Sequence, residues 1–352
     1  MLNSKTVFIL GAGASYEVGF PLGSKLKEII SSKLDLEVDY NGNLIRGEGS
    51  IYKQLKYKYP GNLGDINNVC RKISKGIVWS DSIDDFINQH NHDERIAICG
   101  KLAIASSILE AEKESKLYFE SKHIDDSIDY NSLKDTWYAQ FYSLLNKGSE
   151  KTDLNNIFNN ITVINFNYDR SLEHFLTHVF IKNHLLNKEE ARNIINNLVI
   201  FRPYGSIDQS VEFGSKELPK LDDILSNIKT YTEQIDDVKG LKQVQSAIQD
   251  SEAIVFLGMA YHPNNMFLLQ CECDMKTKIV FATRNDISDN DLPVIIKRII
   301  TLGSSQDYHI DSILNDEVFY NKTKLSRKYD NIYFANKCID LFKEYRYSLS
   351  EL

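Results

Sequence analysis

Proline and tryptophan are scarce in this 352-residue sequence, at six and two residues. With so few prolines, and no Pro/Gly/Ser-rich stretch, the chain offers no linker at which to divide it. Its five cysteines (Cys70, Cys99, Cys271, Cys273 and Cys338) form an odd, scattered set. That excludes a disulfide framework and suits a reducing, cytoplasmic setting. Excess positive charge is missing as well: 41 Lys and Arg stand against 49 Asp and Glu, a net charge of −8. This is the reverse of a nucleic-acid-binding footprint, so no direct nucleic-acid partner is expected. No apolar run approaches the roughly 20 residues that span a bilayer, so no membrane role is expected either. Glycines break the N-terminal apolar run too early for a signal peptide. Internal repeats and low-complexity tracts are also lacking.

What is present is an ordinary globular balance, 42% hydrophobic and 26% charged, with 19 Tyr and 17 Phe to fill a core. Short apolar runs rich in Ile, Val and Phe lie at 6–10, 161–166, 198–202, 253–258 and 278–282, as expected of strands buried on both faces. Helical patterns lie between them, which points to an α/β fold with a Rossmann-like parallel sheet. The stretch between the first two strands reads as helices at 22–33, 63–75, 82–90, 92–118 and 132–147. The expected organisation is therefore a discontinuous Rossmann-like domain (1–30 and 155–300), a large inserted helical module (31–154) and a C-terminal extension (301–352). Residues 331–348 read as an amphipathic terminal helix, and Trp79 and Trp137 read as core.

Each strand ends on groups suited to a nucleotide. After the first comes Gly11-Ala12-Gly13-Ala14-Ser15. A first glycine allows a tight turn, and a second lets the backbone approach a pyrophosphate at a helix N-terminus. The third glycine of the usual dinucleotide fingerprint is replaced by Tyr16, which argues against a hydride-transfer dehydrogenase. A plain strand–turn–helix is the blander alternative. After the second strand, Asn167 and Asp169 can orient a water and hold ribose hydroxyls, or Asp169 can simply cap the helix that follows. The third ends at Phe201-Arg202-Pro203-Tyr204-Gly205-Ser206, the fourth at Gly258-Met259-Ala260, and the fifth at Thr283-Arg284, suited to an adenosine end.

Taken in order, Gly11–Ser15, Gly19-Phe20-Pro21, Ser82–Phe86, Asn167-Tyr168-Asp169, Gly205-Ser206 and Gly258 resemble the sirtuin-like (silent-information-regulator-like) NAD-cleaving domains of bacterial anti-phage defence systems. The resemblance implies NAD as substrate, hydrolysed to nicotinamide and ADP-ribose, with antiviral NAD depletion as the biological role. By the same resemblance, Gly11, Ala12, Gly13, Ala14, Ser15, Phe20, Pro21, Gly205, Gly258, Met259, Thr283 and Arg284 line the cofactor, and Asn167, Tyr204 and Asp169 form the catalytic set. Regulation through a homo-oligomer or a hexameric ATPase translocase partner is implied too.

The zinc ribbon of deacylase relatives has no counterpart, because Cys271-Glu272-Cys273 has the wrong spacing and no metal is expected. Leu22-Gly23-Ser24 stands where deacylases have Asp-Phe-Arg. Tyr204 stands where the family has histidine. A tyrosine ionises near pH 10 rather than about 6.5, so a general-base contribution of roughly 10²–10⁴ in rate is at stake. The alternative is a module that binds NAD or ADP-ribose without cleaving it. Three further features read as bystanders: His174 and His178 as a solvated helix pair, His262 as a loop residue although a substitute base is conceivable there, and the charges of 215–250 as the wet face of covering helices.

Overall fold

The computed structural model describes residues 2–120, 127–147, 151–303 and 331–352. Its centre is β1 (Thr6–Leu10), an apolar strand buried at every position, as a strand covered on both faces must be. After two helices, Ala12–Tyr16 and Gly23–Leu34, the chain makes a small hairpin, β2 (Glu37–Val38) and β3 (Leu44–Arg46), and a further run of helices. It then returns to the sheet as β4 (Ile161–Asn165), β5 (Val199–Phe201), β6 (Ala253–Leu257), β7 (Ile279–Thr283) and β8 (Ile332–Ala335).

The large sheet is parallel throughout, in the order β5-β4-β1-β6-β7-β8. Counting only these six in chain order, that is third, second, first, fourth, fifth, sixth, the doubly wound arrangement whose strand order reverses between the first and fourth members. Leu10 pairs with Asn165 on one side and Leu257 on the other, so three strands end level. The residues after them emerge side by side.

Alternate residues of β1 serve two cores. Val7 and Ile9 pack with Ile30, Leu34 and Leu55 from the helices that follow β1, and with Tyr168 and Tyr204. Phe8 and Leu10 face Trp137, Phe141 and Phe175 on the other side. The helices of 31–154 thus share the sheet's cores: Gly23–Leu34 and Glu94–Glu114 lie on the first face, and Trp137–Asn146 on the second.

Three sequence expectations change. Residues 31–154 hold the β2–β3 hairpin as well as helices; its turn places Gly42 at φ +77°, and the Asp39 carboxylate accepts from the Asn41 and Asn43 amides. Segment 331–348 opens with β8 before its helix Cys338–Glu344, because Ile332-Tyr333-Phe334 pairs in register with β7. Trp79 is 88% exposed and is not core: in the single 3-10 turn Ile77–Trp79, only Ile77 turns inward. Residues 304–330 of the C-terminal extension lie outside the described residues.

Candidate functional site

The level strand ends bring two glycine turns against each other. The Gly11 N–H donates to Leu257 O (2.9 Å), and the Gly13 N–H to Gly258 O (3.0 Å). Gly258 sits at φ +62°, and a Cβ there would lie 2.0 Å from the Ala14 nitrogen. A Cβ on Gly13 would lie 2.7 Å from the Gly258 Cα, and one on Gly11 would meet Gly258 O at 2.6 Å. These glycines therefore let the loops after β1 and β6 cross at backbone contact. Thr283, at the end of β7, steadies the crossing by accepting the Gly258 N–H through Oγ1 (2.8 Å).

Asn167 lies at this crossing. Its Nδ2 donates to Gly11 O (2.9 Å) and to Ser15 Oγ (3.2 Å), while its own N–H is held by Asn165 Oδ1. Among the described residues, no hydrogen bond is made to Asn167 Oδ1. Ser15 donates to Asp169 Oδ2 (2.8 Å), and Asp169 Oδ1 accepts from both the backbone and the hydroxyl of Ser171. Tyr138 OH completes the chain on Ser171 Oγ (2.7 Å). Burial raises the Asp169 carboxyl above its usual range, against the Ser171 and Ser15 hydrogen bonds that lower it. Its position at the start of the helix Ser171–His184 makes it an anchor for that helix. Arg202, which the sequence reading left without a role, clamps the segment by donating to the Asn167 and Asp169 carbonyls (3.0 and 2.9 Å) and pairing with Glu173.

Tyr204 lies deeper on the first face of the sheet. Its hydroxyl donates to Asn265 Oδ1 (2.8 Å), on the short helix Pro263–Leu268. Burial, then the nearby Asp84 charge, drives its pKa far above the usual tyrosine value, so it is a hydrogen-bond donor and not a base. Tyr168 OH donates to Asp84 Oδ1, and burial raises that carboxyl to about 6 despite the bond. Asp84, Tyr168, Tyr204 and Asn265 form a polar group that sequence reading did not assemble, although Asp84 lay within the Ser82–Phe86 motif. Ser82 caps its helix as its pattern implied, accepting the Asp85 N–H (3.0 Å). Gly205 turns at φ +72° against the Asn227 carbonyl.

The other candidates are dispersed. Met259 meets Gly11 at the crossing, its Cα 2.9 Å from a Cβ placed there. Phe20 is buried in the second core, on the face opposite Tyr204, and Pro21 lines a groove of about 780 Å³ with Tyr16, Lys25 and Arg46. Ala12 and Ala14 belong to the five-residue helix Ala12–Tyr16, whose Ala14 carbonyl accepts the Trp137 indole N–H (2.7 Å). Arg284 reaches Asp289 in its own loop (2.7 Å). His262 is 3.6 Å from Asp81. His174 and His178 are sheltered, not solvated, with His174 stacked on Phe213 at 3.7 Å between centroids. Among the described residues, no group of three or more His, Cys, Asp or Glu is placed to hold a metal. No described helix is long and apolar enough to cross a membrane. Compared with known proteins, the chain matches no family model and no curated protein.

Proposed function

We propose that this chain binds NAD at the carboxyl edge of its sheet, where β1 adjoins β6, and hydrolyses it to nicotinamide and ADP-ribose. The observation that carries the reading is the switch-point crossing of Gly11–Gly13 with Gly258, bordered by the Asn167 amide. Open α/β sheets take their ligands at such a point. On this reading Asn167, held by Nδ2, presents Oδ1 to the attacking water. Water adds to the ribose anomeric carbon as the bond to nicotinamide breaks. The bond's electron pair leaves with the nicotinamide nitrogen, already cationic in NAD, and one proton passes to solvent. The developing oxocarbenium-like sugar is the charge the site must stabilise.

Tyr204 favours a second reading, binding without cleavage, because its hydroxyl is committed to Asn265 and cannot take a proton at neutral pH. Nicotinamide release from NAD by the intact chain, by Asn167→Ala and by Tyr204→His separates the two. Hydrolysis predicts release by the chain, its loss in Asn167→Ala, and a rise of about 10²-fold or more in Tyr204→His. Calorimetric NAD binding with no release from any of the three establishes the binding-only role. Antiviral NAD depletion, control by a homo-oligomer or by a hexameric ATPase translocase, and a cytoplasmic location are parts of the same proposal. The first two rest on the motif resemblance, and the location on the odd, scattered cysteine set.

A further inference from the structure

A second cavity, of about 860 Å³, opens on the outer side of the helix Ser171–His184. This is within the size range of small-molecule sites. One wall is the helix itself, with His174 and His178; the second is the helix Lys188–Ile195, with Lys188 and Arg192. The remaining walls carry two rings, Phe119 from the segment after the helix Glu94–Glu114, edge-on to His178, and Phe213 from the loop after Tyr204, stacked on His174, together with the polar Gln209, Ser210 and Glu212.

That loop is built as a fixed wall. Arg170 donates to the carbonyls of Asp208 (2.7 Å) and Val211 (2.6 Å) while pairing with the buried Glu112. Glu112 in turn accepts the Gly214 N–H (3.0 Å). Gly214 at φ +69° lets the loop touch the backbone of Lys113. The walls therefore stand before any ligand arrives.

The charge leans positive. Among the described residues, Lys188 and Arg192 make no ion pair, and both are exposed at the cavity, against one exposed carboxylate there, Glu212, that also makes none. Glu173 turns its Oε1 to Arg202 and leaves Oε2 buried without a partner. His178 feels Lys188 and Arg192: burial first, then these two cations, lower its pKa to about 4. The geometry points to a binding site for a nucleoside diphosphate, with its flat base against the aromatic wall and its phosphates on Lys188 and Arg192. Flat aromatic surface beside unpaired cations matches the two halves of such a ligand and neither half alone. The assignment does not rest on the NAD reading. The two places nevertheless adjoin, because Glu173 lines this cavity and holds the Arg202 that clamps Asn167 and Asp169.

Calorimetry of the full chain with ADP, adenosine and inorganic pyrophosphate tests this. ADP is expected to bind at least about tenfold tighter than either fragment, and Lys188→Glu with Arg192→Glu to weaken it about 100-fold, one decade per charged contact. Circular dichroism of the double variant should match the parent, since both side chains are exposed. Arg284→Ala, at the strand end suited to adenosine, should leave ADP affinity within about twofold, which separates this site from the sheet edge. An ADP-induced rise in the His178 titration midpoint by NMR would be an independent mark of an anion seated there. Absence of ADP binding, equal binding of pyrophosphate and ADP, or unchanged ADP affinity in the charge-reversed variant each overturns the assignment.

Discussion

Gly258 has the least room for change. Its φ of +62° strains any L side chain, and the atoms an added Cβ would strike are the backbone of Gly13 and Ala14, which no side-chain rotation can relieve. Gly258→Ala should cost at least about 3 kcal/mol or prevent folding, read from the urea midpoint. Asp84 carries the opposite expectation. Its folded pKa of about 6 lies above the ordinary aspartate value of 3.8, so the folded state holds its proton more tightly than the unfolded chain. Its contribution is therefore present at low pH and is lost as pH rises through 3.8 to about 6. Asp84→Asn keeps an acceptor for Tyr168 OH and removes the charge. It should stabilise the protein by about 1–3 kcal/mol at pH 8 and by little at pH 4, measured by denaturant unfolding at both. An unchanged midpoint at pH 8 would mean that the carboxylate is solvated.

At the scale of elements, the helix Ser171–His184 joins much of the molecule together. Asp169 anchors its start, Arg170 binds the 208–214 loop, and His174 and His178 lie against aromatic rings on its outer side. Burial lowers the two histidines to about 3 and about 4. Above pH 6.5 they are neutral in both folded and unfolded chains and exert no pull. As pH falls from 6.5 toward 4, the unfolded chain takes up protons that the folded one refuses. Stability should then drop by up to about 1.4 kcal/mol per pH unit for each histidine. A His174→Gln, His178→Gln double variant should lose that slope, seen in melting temperature between pH 7 and pH 4.5.

The elements also show what the sequence disclosed. β1, β4, β6 and β7 were legible because largely buried strands write themselves as short apolar runs, and β5 because its Val199-Ile200-Phe201 is apolar although it lies at the sheet edge with Val199 exposed. The β2–β3 hairpin was missed although Asn41-Gly42 is a strong turn signal, since its strands are two and three residues long and too short to show alternation. β8 was hidden by the helix behind it, whose pattern extends from Cys338 and drew Ile332–Ala335 into one reading. At the candidate site, Asn167 was singled out because it follows a legible strand. Its partnership with Gly11, and that of Tyr204 with Asn265 across 61 residues, depends on strand order, which a local pattern does not contain.

Over the whole molecule, the sheet ends differently on its two sides. The β5 edge is three residues long, which blunts it against pairing with other chains. β7 is five residues long and almost wholly buried, and it owes its cover to β8 and to the rings of Tyr333 and Tyr345 packed on Phe281. A chain stopped after Gly303 should therefore self-associate, appearing in the void volume on size exclusion where the full chain elutes as a defined species. A monodisperse truncated chain would show that β8 is dispensable. During synthesis the same arrangement imposes a delay. From the moment Ile279–Thr283 leaves the ribosome until Ile332–Ala335 follows, an apolar ribbon with unsatisfied amides is open to any passing strand. The nascent protein is then at its most vulnerable, and a holdase would serve it best in that interval.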